Sequence, residues 1–135
     1  MKLMRGFTLI EVMIVVVIVA ILVAIAVPGY QNQITASRRS DAQGTLQSFA
    51  QAMERFYTQN GTYIGAAGGT ATSGAPTIFS TKSPVDGAQT YYQLTISTMT
   101  ANSYTLQATP VNAQAGDGNM TLNSAGVRFW ANGTW

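Results

Sequence analysis

The sequence predicts an α+β protein. One long N-terminal α-helix, membrane-spanning in its first half and amphipathic in its second, packs on a small antiparallel β-sheet. Three observations carry this reading. Val12 to Val27 is an uninterrupted apolar run. Apolar residues then recur at mostly three- and four-residue steps as far as Tyr57, the signature of one helix face. Beyond Tyr92, segments alternate apolar and polar residues with period two, the signature of half-buried strands.

The apolar run comes first. Phe7 to Val27 is 21 residues, and a bilayer core needs about 20. A single span must satisfy its own backbone hydrogen bonds, so it is helical despite its many β-branched residues. Val12–Val27 holds twelve Val, Ile or Leu residues, which together favour insertion by about 4 to 7 kcal/mol. Glu11 stands at the mouth of the run, where an acid costs less than the roughly 3 kcal/mol it would cost at the bilayer centre. Lys2 and Arg5 precede the run and no cation follows until Arg38. That asymmetry places the N-terminus in the cytoplasm and the rest across the membrane.

Three readings of this segment compete. It is a plain single-pass anchor, a secretory signal cut near the small residues Ala24-Ile25-Ala26, or an apolar helix kept by the mature protein after a cut between Gly6 and Phe7. The third is favoured by the junction itself. Gly6-Phe7-Thr8-Leu9-Ile10-Glu11 resembles the leader-peptidase site of bacterial type IV prepilins and type II secretion pseudopilins. Pro28 falls where those families often carry proline.

The resemblance implies three segments: a leader at 1–6, a membrane and assembly helix at 7–28, and a head at 29–135 with the pilin fold. It implies cleavage after Gly6, N-methylation of Phe7 by the prepilin peptidase/methyltransferase, and assembly through Glu11 and Pro28. Glu11 would pair with the Phe7 amine of a neighbouring subunit, a buried carboxylate that is costly alone and strongly favoured when paired. A local pair with its own Phe7 amine, one helical turn away, stays open. The implied partners are other pilin subunits, the peptidase, and inner-membrane lipid before export to the pilus.

Charge and composition exclude several functions. The chain has seven basic and five acidic side chains. Cleavage removes Lys2 and Arg5 and leaves five of each, so the basic balance belongs to the leader. Histidine and cysteine are absent, which removes imidazole and thiol catalysis and the usual zinc sites. The five acids are dispersed, so no catalytic residue, metal site or cofactor is expected. Asp86-Gly87 and Asp117-Gly118 read as turns, too few oxygens for calcium.

Pro28 removes one backbone donor and should kink the helix, with Gly29 adding slack. Ile34, Ala42, Leu46, Phe49, Ala50, Met53, Phe56 and Tyr57 form the apolar stripe, opposite Gln47, Ser48, Gln51, Glu54 and Arg55. Arg38-Arg39 reads as a solvated face with Arg38 paired to Asp41; headgroup or subunit contact is the alternative. Asn60-Gly61 supplies a left-handed stop. To about Gln59 the helix would be on the order of 80 Å long.

Gly61 to about Ala88 is a long connection, an exposed variable surface in pilins or else a linker, with Thr77-Ile78-Phe79 as its anchor to the core. The strands follow: Tyr92, Leu94 and Ile96; Tyr104, Leu106 and Ala108; Met120 and Leu122; then Val127 and Phe129 facing one way, Arg128 and Trp130 the other. Asn123 to Gly126 is a hairpin turn. Asn60-Gly61-Thr62 and Asn132-Gly133-Thr134 match glycosylation sequons by chance.

Two departures from the pilin pattern stand out. Many pilins close their C-terminal region with a disulfide, which this chain lacks, so Trp130 and Trp135 are candidates to hold the tail. Many carry a helix-loosening glycine where this chain has Ala20. Small size, the missing disulfide and the plain Gly-Ala loop point to a minor pilin. A major pilin, a type II pseudopilin and a membrane-tethered DNA-uptake pilin are the alternatives. DNA binding through Arg38, Arg39 and Lys82 lacks a wider basic patch.

Overall fold

The computed structural model describes residues 6–131 and 133–135. Lys2, Arg5 and Asn132 lie outside the described residues. Helix α1 spans Leu9–Asn60. Strands β1 (Lys82–Ser83), β2 (Tyr92–Met99), β3 (Tyr104–Pro110), β4 (Met120–Asn123) and β5 (Arg128–Trp130) follow, with a single 3-10 turn at Asn112–Gln114 before β4. The chain divides into two units, Met1–Ile34 and Thr35–Trp135.

In the first unit the helix starts at a capping box. Thr8 is its N-cap and Glu11 its third residue, the positions that satisfy two otherwise orphan backbone donors. From Leu9 to Val27 the large apolar side chains are exposed on every face. By length and composition this stretch is long and apolar enough to cross a membrane. The helix continues through Pro28, whose missing N–H leaves one carbonyl of the preceding turn unbonded.

The second unit is built on the amphipathic half of α1. Ala42, Leu46, Phe49, Ala52 and Met53 are its buried positions, with Ala50, Phe56 and Tyr57 packed half-buried beside them. They face an antiparallel sheet of order β1-β2-β3-β4-β5. Tyr92, Leu94, Ile96, Tyr104, Leu106, Ala108, Met120 and Leu122 point into the same core. In β2 the period slips at a bulge between Ile96 and Thr98, which returns Met99 to the buried face. The helix ends at Gly61, whose positive φ of 69° lets its N–H reach Tyr57 O at 2.7 Å.

The connection from Gly61 to Ala88 keeps an exposed stretch at 69–75 and is anchored to the core on either side of it. Tyr63 and Ala66 are buried, Thr77 donates from both N and Oγ1 to Ala66 O, and Phe79 stacks on Phe49 at 5.1 Å. Gly74 exchanges two backbone bonds with Ile96, and β1 pairs with β2. Arg38 does not pair with Asp41; its guanidinium lies 3.9 Å from the Tyr91 ring centroid and donates to Tyr91 Oη at 3.3 Å. In β5 the inward residue is Trp130, which packs on the core, while Val127 and Phe129 are exposed. An apolar period on an edge strand cannot say which face is in.

Candidate functional site

The residues singled out at the N-terminal end cluster within one helical turn. Phe7 is 85 % exposed. The Thr8 N–H and its Oγ1 both donate to Glu11 Oε2, each at 2.9 Å, and the Glu11 N–H donates to Thr8 Oγ1 at 3.3 Å. One carboxylate oxygen is thus held by the helix's own cap, and Oε1 carries no bond among the described residues. Phe7, Glu11, Val12, Val15 and Val16 line a shallow apolar groove of about 330 Å³. Ile10, Met13, Ile14, Val17 and Ile18 line another of about 290 Å³. Grooves between rows three and four residues apart accept the ridges of another helix. Pro28 lies further along the helix and touches none of this cluster.

The second cluster ties α1 to the C-terminal tail. The Arg39 guanidinium makes a two-pronged ion pair with Asp117, one bond being Nε to Oδ2 at 2.7 Å. The same Oδ2 accepts from the Tyr92 hydroxyl. Gln114, 1 % exposed, donates through Nε2 to Tyr92 Oη at 3.1 Å and to Thr35 O at 3.0 Å. The Trp130 indole N–H reaches Asp117 O at 2.7 Å, and its ring lies under Arg39 at 4.0 Å. Past it, Trp130 and Gly133 exchange two backbone bonds, and Trp135 donates to Phe129 O at 2.9 Å. Both tryptophans therefore hold the tail, and the missing disulfide is replaced by an ion pair with an aromatic lid.

Electrostatics follow the geometry. Burial pushes the Asp117 carboxyl up, but hydrogen bonds from Arg39 and Tyr92 and the Arg39 charge outweigh it and leave it below the usual carboxylate range. Burial, then the bond to Asp117, raises Tyr92. Glu54, expected on the solvated face, accepts from the hydroxyls of Tyr63 and Tyr104 at 3.0 Å each. Burial and that carboxylate push Tyr63 up to about 12 and raise Tyr104 as well.

Sequence reasoning missed the Asp117 network, because Asp117-Gly118 also spells a turn. The available signal was the rarity of acids: an Asp in so charge-poor a head needs a cation. Beside it, Gly118 has a φ of 92° that suits glycine, and a Cβ there would meet Ala131 Cβ at 2.6 Å. Among the described residues no group of three His, Cys, Asp or Glu could hold a metal. The proposed DNA contacts are partly engaged: Arg39 by Asp117, Arg38 by Tyr91, and Lys82 Nζ by Gly87 O at 2.8 Å.

Comparison with known proteins points one way. Residues 28–121 match the family model for the type IV minor pilin ComP, DNA uptake sequence receptor. Residues 1–27 match the prokaryotic N-terminal methylation motif. The structure is similar to the non-core minor pilin PilV of Neisseria meningitidis. The two share 29 % identity over 76 % of this chain and 90 % of that one, with a TM-score of 0.54. No curated protein sequence matches the chain.

Proposed function

The chain belongs to the type IV minor pilin family, and from that premise we propose that it is a prepilin. It is cut between Gly6 and Phe7, methylated on the new Phe7 amine, and built into a pilus through its N-terminal helix. Pilins are structural proteins, and assembly with other pilin subunits is the work of such a chain. The observation that carries the proposal is the continuity of α1, which joins the methylation motif of residues 1–27 to the minor pilin region of 28–121 without a break.

Before assembly the apolar half of α1 lies in the inner membrane, its N-terminus in the cytoplasm. Cleavage frees the amine of Phe7. The open Oε1 of Glu11 then accepts the amine of a neighbouring subunit while Thr8 steadies Oε2. Moving a fully apolar helix from lipid into a bundle of like helices is nearly neutral in hydrophobic terms, so packing and the Glu11 pair decide the balance. Pro28 gives the helix a point of adjustment past the membrane. The test is Glu11→Ala. Membrane insertion should be intact and incorporation into pili reduced several-fold; normal incorporation removes Glu11 from assembly.

The family model's description supports a second role, binding of DNA during uptake. Among the described residues, Arg55 makes no bond through its side chain and Arg128 only stacks beside Trp135 at 5.2 Å. A duplex contact made by so few cations should show a shallow salt dependence, with a log–log slope of about −2 or less steep. Arg55→Gln with Arg128→Gln should abolish retention of duplex DNA by the full chain in detergent without loss of pili. Unchanged retention removes these two cations from the role.

A further inference from the structure

Between Phe7 and Phe49 the helix carries a single aromatic residue, Tyr30. Its side chain is 70 % exposed, and its hydroxyl makes no hydrogen bond among the described residues. With Ala26, Val27, Gln31 and Ile34 it lines a shallow groove of about 580 Å³. A ring with a polar tip thus stands where the apolar run ends. Gln31, Asn32 and Gln33 follow, and the next cation is Arg38.

Position along the helix adds a second observation. Glu11 and Tyr30 lie 19 residues apart on one unbroken helix, which separates them by about 29 Å along its axis. The hydrocarbon core of a bilayer is about 30 Å thick. When Glu11 stands at the cytoplasmic edge of that core, Tyr30 stands at the opposite edge. Tyrosine and tryptophan collect at that level, where the ring meets acyl chains and the hydroxyl meets headgroups.

We propose that Tyr30 anchors α1 in the phospholipid interface on the head side of the membrane, and so sets the depth that holds the Gly6–Phe7 bond at the cytoplasmic surface. Tyr30 is a positioning residue: it acts on that bond through the helix between them. Lipid is its partner because its surface continues the exposed apolar stretch from Leu9 to Val27, which is long and apolar enough to cross a membrane. No neighbour combines the same two properties. Val27 and Pro28 lack a polar tip, and Gln31, Asn32 and Gln33 lack an apolar ring. The proposal rests on the membrane location and the Gly6–Phe7 cut proposed above.

The chain has no cysteine, so a single introduced thiol reports depth without background. Gly29→Cys is a suitable reporter, since nothing lies within 4 Å of a Cβ at that position. The full chain is reconstituted in vesicles of phosphatidylethanolamine and phosphatidylglycerol, and a membrane-impermeant maleimide is added on the head side. Gly29→Cys should react several-fold more slowly than Asn32→Cys. Exchanging the anchor, Val27→Tyr with Tyr30→Val, keeps the composition and moves the ring by three residues, about 4.5 Å. The helix should slide towards the head side, and Gly29→Cys should then react as fast as Asn32→Cys does in the parent. In cell membranes the same exchange draws the Gly6–Phe7 bond into the bilayer, and leader removal should slow several-fold. Tyr30→Trp should keep both the labelling pattern and the cleavage rate.

Labelling that ignores the exchange overturns the anchor. A response in cell membranes with none in the vesicles also overturns it, because the ring then meets protein and not lipid. Shifted labelling with unchanged cleavage overturns the tie to the Gly6–Phe7 bond. A parent chain that stays uncut in cell membranes contradicts the cleavage reading instead, and the labelling still decides the anchor.

Discussion

Asp117 and Arg39, 78 residues apart in the chain, close on each other in a two-pronged ion pair, and Trp130 stacks on the same guanidinium at 4.0 Å. Asp117 is only 6 % exposed. Removing either partner of a buried pair leaves the other uncompensated, at about 3–5 kcal/mol. Arg39 is the more exposed of the two, so Asp117→Asn should fall at the lower end of that range. Urea denaturation of the full chain in detergent measures it. Arg39→Lys should lose most of the same stability, since an ammonium offers neither the fork nor the flat stacking face.

The same network gives stability a dependence on acid. The folded Asp117 carboxyl lies below its ordinary value, so its contribution is complete above the unfolded value of about 3.9. It is lost as pH falls through the lower, folded value. Both tryptophans of the chain lie in the tail, so fluorescence reports on that region. Its acid transition in the parent chain should shrink in Asp117→Asn. An unchanged acid transition would detach Asp117 from it.

At high pH the tyrosines act in the opposite sense. Tyr63 is pushed up to about 12, and Tyr92 and Tyr104 are also raised. Their contribution is intact below the unfolded value of about 10 and is lost as pH rises through the folded values. Ultraviolet titration should show these three ionising late, with unfolding as they do. Glu54→Gln should bring Tyr63 and Tyr104 down and leave Tyr92 in place.

Gly118→Ala tests how closely the tail sits. A Cβ at Gly118 would lie 2.6 Å from Ala131 Cβ and 3.3 Å from Trp130 Nε1, in a backbone conformation that suits glycine. The tail must shift, and stability should fall by about 1–3 kcal/mol. A red shift in tryptophan emission, with far-ultraviolet dichroism unchanged, would show that the shift is local to the tail.

Much of this was legible in the sequence. The long helix, its Asn60-Gly61 stop and three of the core strands follow from periodicity, because Leu46, Phe49, Leu94 and Leu106 have one side to bury and their spacing names it. The period of β5 separates Val127 and Phe129 from Arg128 and Trp130, and only tertiary packing chooses Trp130 as the inward residue. The two-residue β1 has no period to read. The rarity of acids hinted that Asp117 needs a cation, but nothing local links it to Arg39, whereas Arg38 and Asp41 are neighbours on a helix and looked like partners. The Thr8–Glu11 cap could have been found: a Thr followed three residues later by Glu is a standard helix start.

The most direct measurement is mass spectrometry of this chain recovered from sheared, purified pili. The account requires an N-terminus at Phe7 bearing one methyl group, with the apolar helix intact. Recovery only as a soluble species beginning at or beyond Val27, absent from the pili, would contradict it.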